Sequence, residues 1–279
     1  MHPDIADAIL RRLSTSDIPA AVGLSEQAGW NQTREDWRMM IDLAPEGCLA
    51  IEIDGELAAT TTLLCYGRRL AWIGMVLTKL SYRGRGFARR LLMQALSQAD
   101  QMKIETVKLD ATDQGRPLYE KMGFRCEQAV ERWSRPGFGD ASSCRLTADM
   151  PPSEHWRVAD DRAFGADRSE LLEKLVRRSQ PSLFCAGSYL LTRPGRQTQY
   201  LGPSVCDAPG TARALVERAL HTAGARDWSW DLLPANTSAV AIAQDLAFTP
   251  TRYLQRMVRG KDLRGTEETI YAIAGFELG

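Results

Sequence analysis

The segment Leu77-Thr78-Lys79-Leu80-Ser81-Tyr82-Arg83-Gly84-Arg85-Gly86-Phe87-Ala88 carries the residues best suited to chemistry in this chain. Gly84 and Gly86 let the backbone approach an anion closely. Successive main-chain N–H groups leading into a helix form a donor nest, and the helix dipole favours negative charge there. Arg83, Arg85 and Arg89 add cations at the same place, so the turn reads as a phosphate site. Two better-known phosphate sites do not fit. The chain has no Gly-x4-Gly-Lys-Ser/Thr, and Gly84-x-Gly86 is followed by Arg89 where a dinucleotide fingerprint requires a third small residue.

A glycine turn binds phosphate only if the elements on either side aim it. Upstream, Ala71-Trp72-Ile73-Gly74-Met75-Val76-Leu77 is an apolar run of strand length. Downstream, Phe87, Leu91, Leu92, Ala95, Leu96 and Ala99 share one face of a helix, with Arg89, Arg90, Gln94 and Gln98 between them. Strand, basic turn and helix follow in the order that a phosphate site needs.

The 279 residues are enough for two ordinary domains. Lys plus Arg and Asp plus Glu both total 35. The balance leaves no global field to attract nucleic acid or an acidic membrane, so neither is expected as a partner. Met1-His2-Pro3-Asp4-Ile5 lacks the apolar core of a secretory signal, and no apolar run is long enough to span a membrane. A cytoplasmic location is expected. The six cysteines include no Cys-x-x-Cys pair and read as reduced core residues, while the three histidines lack ligand-spaced neighbours. No metal is expected, and the absence of Gly-x-Ser-x-Gly argues against a serine nucleophile elbow.

A short strand at residues 10–15 precedes a helix that starts at Asp17-Ile18-Pro19 and runs to about Gln27. Thr33 and Asp36 form a capping-box pattern that opens a second helix through Trp37, Met40 and Ile41. Strands at 48–53 and 57–64 flank the hairpin signal Asp54-Gly55. After the strand at 70–77, the phosphate turn and its helix come a strand at 106–110 and a helix that stops at Gly123-Phe124. The fold class is α/β with a mixed sheet.

Beyond Pro151-Pro152 the pattern repeats faintly. Strand-like runs at 183–186, 189–192 and 200–205 precede Ala212-Arg213-Ala214-Leu215, an echo of Ala88-Arg89-Arg90-Leu91. Trp228-Ser229-Trp230-Asp231 echoes Val107-Lys108-Leu109-Asp110, and Leu246-Ala247-Phe248 echoes Met122-Gly123-Phe124. The expected domains are 1–150 and 151–279. The second copy has Asp207-Ala208-Pro209-Gly210 in place of the basic turn. Asp207 repels phosphate and Pro209 lacks a donor.

Arg83-x-x-Gly86-x-Ala88 resembles the acetyl-CoA pyrophosphate loop of the GNAT family of N-acetyltransferases. Asp110-Ala111-Thr112-Asp113-Gln114-Gly115-Arg116-Pro117-Leu118-Tyr119-Glu120-Lys121-Met122-Gly123-Phe124 resembles the family's strand 5 and helix 4 segment. Two tandem GNAT-like domains are implied, the second degenerate. The implied activity is acetyl transfer from acetyl-CoA to the primary amine of a small molecule, by direct attack in a ternary complex. A non-catalytic acyl-CoA sensor and a protein-lysine or N-terminal acetyltransferase are the alternatives. A homodimer is compatible with either.

The resemblance also assigns roles to residues. Main-chain groups of Val76, Leu77 and Thr78 would meet the pantetheine arm and polarise the thioester. Gly84, Arg85, Gly86, Phe87, Ala88 and Arg89 would take the pyrophosphate. Arg83 would serve either the ligand or the loop itself, and Thr112 either the cofactor or a turn cap. Tyr119 would protonate the departing sulfur, because a phenol with a pKa of about 10 keeps its proton at neutral pH. The strand before the turn lacks the glutamate that many relatives use as a base. A water chain, Asp110 or Glu26 is left for that role. Trp30, Asn31, Trp37 and Trp72 are expected beside the acceptor groove, with Trp228 and Trp230 closing it from the second domain.

Overall fold

The computed structural model describes residues 8–137, 154–222 and 226–279. The chain forms two compact units, one of Met1–Leu109 with Leu278 and one of Asp110–Glu277 with Gly279.

The first unit carries β1 (Ile9–Arg12), α1 (Ile18–Gln27), α2 (Arg34–Leu43), β2 (Cys48–Ile53), β3 (Glu56–Tyr66), β4 (Leu70–Thr78), α3 (Phe87–Gln101) and most of β5 (Thr106–Ala111). Its strands lie in chain order, β1 to β4 antiparallel and β5 parallel to β4. Local chemistry sets this arrangement. Asp54 and Gly55 both take left-handed φ, 51° and 78°, the geometry of a tight turn whose twist matches its strands. Thr33 caps α2 by accepting the Asp36 N–H, and the Asp36 carboxylate accepts the Thr33 N–H in return. The face of α3 made by Phe87, Leu91, Leu92, Ala95, Leu96 and Ala99 is buried as expected. It packs on β2, β3 and β4.

The second unit carries α4 (Arg116–Lys121), β6 (Arg125–Arg135), α5 (His155–Phe164), α6 (Ser169–Arg178), β7 (Ser182–Cys185), β8 (Ser188–Pro194), β9 (Gln199–Val205), α7 (Pro209–Thr222), β10 (Trp228–Leu232), α8 (Thr237–Asp245), β11 (Thr249–Gly260) and β12 (Ile270–Ala272). The run β7, β8, β9, α7, β10 repeats β2, β3, β4, α3, β5. It has three antiparallel strands, a helix, and a strand parallel to the third.

The units divide at Leu109/Asp110, ahead of the sequence boundary at 150/151. The reason lies in β6, which is antiparallel to β10 on one side and to β11 on the other, with Trp133 opposite Trp230 and Arg132 opposite Asp231. A strand from the first sequence half is thus built into a sheet of second-half strands. Arg132 donates two 2.6 Å hydrogen bonds to Asp231, and its guanidinium lies over the rings of Tyr200 and Phe276. A paired, stacked guanidinium is a way of burying charge that hydrocarbon neighbours alone could not satisfy.

Two expectations change here. Trp228 and Trp230 are 2% and 0% exposed within one core cluster, and the Trp230 indole donates to the Tyr271 carbonyl at 2.7 Å. They fill the core of the second unit and have no surface to offer a groove. Of the cysteines, Cys48 and Cys206 are buried and Cys65 is half-buried, but Cys126 and Cys185 are exposed. Cys144 lies outside the described residues.

Candidate active site

In the first unit, β4 pairs briefly with β5 but stays beside β3 to its end. Its parallel ladder with β5 pairs Leu70, Ala71 and Trp72 with Thr106, Val107 and Lys108. Past Trp72, β4 runs on to Thr78 beside β3. The register to β3 slips by one residue between Thr62↔Gly74 and Thr60↔Leu77, which marks a bulge, and Met75 in it has φ of 49°. Left-handed backbone in a residue other than glycine is a strained conformation that its surroundings must hold.

Residues 79–86 then form the basic turn. Arg83 donates from Nε to the Thr78 carbonyl at 3.2 Å, and Arg85 from Nη2 to the Ser81 carbonyl at 3.2 Å. Both guanidiniums therefore serve the loop's own shape, with Arg85 also over the Tyr82 ring. The Tyr82 hydroxyl donates to Glu56, which also pairs with Lys79. Gly84 and Gly86 have φ of 78° and 81°, and a Cβ at either would meet no atom within 4 Å. Glycine is favoured here by conformation, and the space above the turn is open. Gly86 is the N-cap of α3, with no side chain capping the helix and no acidic residue in its first turn. The first-turn N–H groups are thereby left for another acceptor. The Phe87 ring is buried, so only its main chain can contribute; Arg89 is exposed.

Of the acceptor-groove candidates in this unit, Trp30 is half-buried, Asn31 is buried and Trp72 is fully enclosed in β4. Trp72 presents no surface to a substrate. Trp37, also fully buried, donates from Nε1 to Ser25 Oγ at 3.1 Å and ties α2 to α1. Glu26 is exposed.

In the second unit, the Thr112 hydroxyl accepts the Gly115 N–H at 3.2 Å and caps the turn before α4. The Tyr119 ring is buried, in edge contact with Phe124. Gly115 packs so closely on this ring that a Cβ would lie 2.9 Å from Tyr119 Cε2. Among the described residues the phenol makes no hydrogen bond, and burial pushes its pKa up to about 12. It remains protonated well past neutrality, as a proton donor must. Asp110 has both carboxylate oxygens held by Arg256, at 2.9 and 3.1 Å, with the Asp110 side chain fully buried. Burial raises its pKa against the lowering by Arg256. Both oxygens are thus engaged in a buried ion pair with Arg256.

The same region of the repeat has been rebuilt in the second unit. The link from β9 to α7 is only residues 206–208, against 79–86 in the first unit. The Asp207 N–H is taken by Ser188 Oγ at 3.2 Å, while the Ser188 hydroxyl donates to the Asp207 carboxylate. Pro209 opens the helix. A cavity of about 330 Å³ adjoins this link, with Asp207 in its wall.

Comparison with known proteins finds the same family in both halves of the chain. The Acetyltransferase (GNAT) family description matches residues 17–124, and an Acetyltransferase (GNAT) domain description matches residues 157–272. The chain belongs to the GNAT family. It carries two such domains in tandem. The uncharacterized N-acetyltransferase YitH of Bacillus subtilis (strain 168) is 29% identical over 180 residues, covering 63% of this chain and 62% of that protein. A crystal structure from Pyrococcus horikoshii, of a protein provisionally described as an acetyltransferase, superposes with a TM-score of 0.84 at 24% identity. It covers 100% of this chain and 99% of that one. A GCN5-related N-acetyltransferase from Sphaerobacter thermophilus gives a TM-score of 0.64 at 18% identity, over 93% and 99% of the two chains. At these identities the structures speak for the fold.

Among the described residues, no group of three or more His, Cys, Asp or Glu side chains is placed to hold a metal ion. No helix of the described residues is long and apolar enough to cross a membrane.

Sequence reasoning missed Thr60 and Thr61 of β3. Their hydroxyls donate to the carbonyls of Met75 at 2.8 Å and Gly74 at 3.3 Å, both in the bulge. The signal was the run Thr60-Thr61-Thr62, three hydroxyls that are wholly buried in a strand and must each find an acceptor or go without.

Proposed function

We propose that this protein transfers an acetyl group from acetyl-CoA to the primary amine of a small molecule, by direct attack in a ternary complex. The observation that carries this reading is the uncapped N-terminus of α3 behind the left-handed Gly84 and Gly86. It offers a diphosphate several main-chain donors and the positive end of a helix dipole. The main chain of Val76, Leu77 and Thr78 receives the pantetheine arm, and Gly84 through Arg89 receive the pyrophosphate. Arg83 holds the loop in shape through Thr78.

The amine nitrogen attacks the thioester carbonyl, the carbon–sulfur bond breaks, and the departing thiolate takes a proton from Tyr119. The amine's surplus proton leaves to water. Residues 1–150 form the catalytic half. Residues 151–279 bind no acetyl-CoA, a reading supported by the short 206–208 link, the occupied Asp207 N–H and the missing donor of Pro209. Incubating the full chain with acetyl-CoA and a panel of small primary amines tests the proposal. Amine-dependent release of free thiol is expected, and none with any amine would overturn it.

A further inference from the structure

We propose that Thr60 is a positioning residue that aims the Val76 N–H at the thioester carbonyl; this rests on the acetyl-transfer reading above. Across a trans peptide the carbonyl of one residue and the N–H of the next point in opposite directions. The Met75 carbonyl is drawn toward β3 by the Thr60 hydroxyl, at 2.8 Å. The Val76 N–H on the same peptide is therefore turned away from β3, toward the edge of β4 that lies beyond its three-pair ladder with β5. Thr61 does the same for the preceding peptide, at 3.3 Å from the Gly74 carbonyl.

A regular strand would not place the group this way. Successive carbonyls of a strand alternate in direction, so two consecutive carbonyls both held by β3 hydroxyls require the chain to break its repeat between them. Met75 does so with its φ of 49°. Such strained backbone persists where neighbours fix it, and the two threonine hydroxyls act on the peptides flanking Met75. Thr60 is 0% exposed, so its hydroxyl has no water to exchange for the carbonyl. The result is a pre-oriented donor for the charge that develops on the acyl oxygen, where orientation before reaction is most effective.

Thr62 provides an internal control. It is also 0% exposed, and its hydroxyl has no hydrogen-bond partner among the described residues. Thr60→Val and Thr62→Val thus make the same isosteric change at buried positions two residues apart, but only the first releases a bulge carbonyl.

The test uses the full chain, selectively labelled with 15N-valine, in wild type, Thr60→Val, Thr60→Ser and Thr62→Val. Adding acetyl-CoA should move the Val76 amide resonance more than adding CoA does, because only acetyl-CoA carries the acyl oxygen. Thr60→Val should lose that difference, and Thr60→Ser, which keeps a hydroxyl, should recover it. With an accepted amine, Thr60→Val should lower kcat about 10- to 100-fold while KM for acetyl-CoA changes less than about threefold. Thr62→Val should match wild type in both. An unchanged Val76 response in Thr60→Val would overturn the role of Thr60 and leave the cofactor reading intact. A wild type that binds acetyl-CoA with no Val76 response would overturn the aim given to this N–H. A wild type that binds no acetyl-CoA would overturn both, and is recognised by silence in all four proteins.

Discussion

Replacing Gly86 by Asp tests the phosphate turn with a change whose cost can be worked out in two parts. The first is conformational. Gly86 has φ of 81°, where an ordinary L-residue is strained by roughly 1–2 kcal/mol, and Asp and Asn are among the better tolerated. Nothing lies within 4 Å of the new Cβ, so no clash adds to this and the fold should survive. The second part is electrostatic. A carboxylate about 5 Å from one phosphate charge, at an effective dielectric constant near 20, is repelled by about 3 kcal/mol. That corresponds to a loss of more than 100-fold in affinity. Gly86→Asn separates the two parts, since it has nearly the same shape and the same left-handed tolerance but no charge. Calorimetric titration with acetyl-CoA should give one site per chain in wild type, a small loss in Gly86→Asn and at least a 100-fold loss in Gly86→Asp. Wild-type affinity in Gly86→Asp would refute the placement of the pyrophosphate. Equal losses in both variants would refute the electrostatic argument.

Tyr119→Phe keeps the ring packed on Gly115 and removes only the hydroxyl with its proton, so kcat should fall about 100-fold or more while acetyl-CoA affinity holds; equal turnover when chemistry is rate-limiting would remove Tyr119 from the mechanism. Because burial lifts the phenol above its ordinary value to about 12, the donor stays protonated as pH rises through 10. Wild type should therefore show no loss of kcat near pH 10 that is absent in Tyr119→Phe, and any stability linked to this proton should decline only between about pH 10 and 12. Asp110→Asn breaks a buried bidentate pair and should destabilise the protein by about 3–5 kcal/mol, measured by urea unfolding, with Asp110→Leu/Arg256→Met recovering much of the loss. Wild-type stability with a raised KM for the amine would instead make Asp110 a substrate contact.

What was legible in the sequence was local. The Asp54-Gly55 turn, the Thr33–Asp36 capping box and the buried face of α3 each depend on residues a few positions apart, and each stands where its chemistry put it. The glycine turn at Gly84 and Gly86 was legible for the same reason, since both are constrained by their own backbone. Long-range partners were not. Asp110 is committed to Arg256, 146 residues away, and no spacing in the chain announces that. Trp228 and Trp230 look like groove residues when only their size is considered, but the pairing of β10 with β6 and β9 encloses them. The placement of β6 between β10 and β11 is a choice of partner made across the whole chain. The β4 bulge escaped notice because Met75 is an unremarkable strand residue until Thr60 and Thr61 are seen opposite it.

Acetyl transfer to an amine is tested by mass spectrometry of the amine panel after incubation with acetyl-CoA and the full chain, with free thiol counted in the same samples. The expected result is an amine whose mass rises by one acetyl group, with one thiol released for each acetylated molecule and neither product formed without enzyme. Tight binding of acetyl-CoA with no acetylated amine and no thiol would contradict it, and would make the protein a sensor of acyl-CoA.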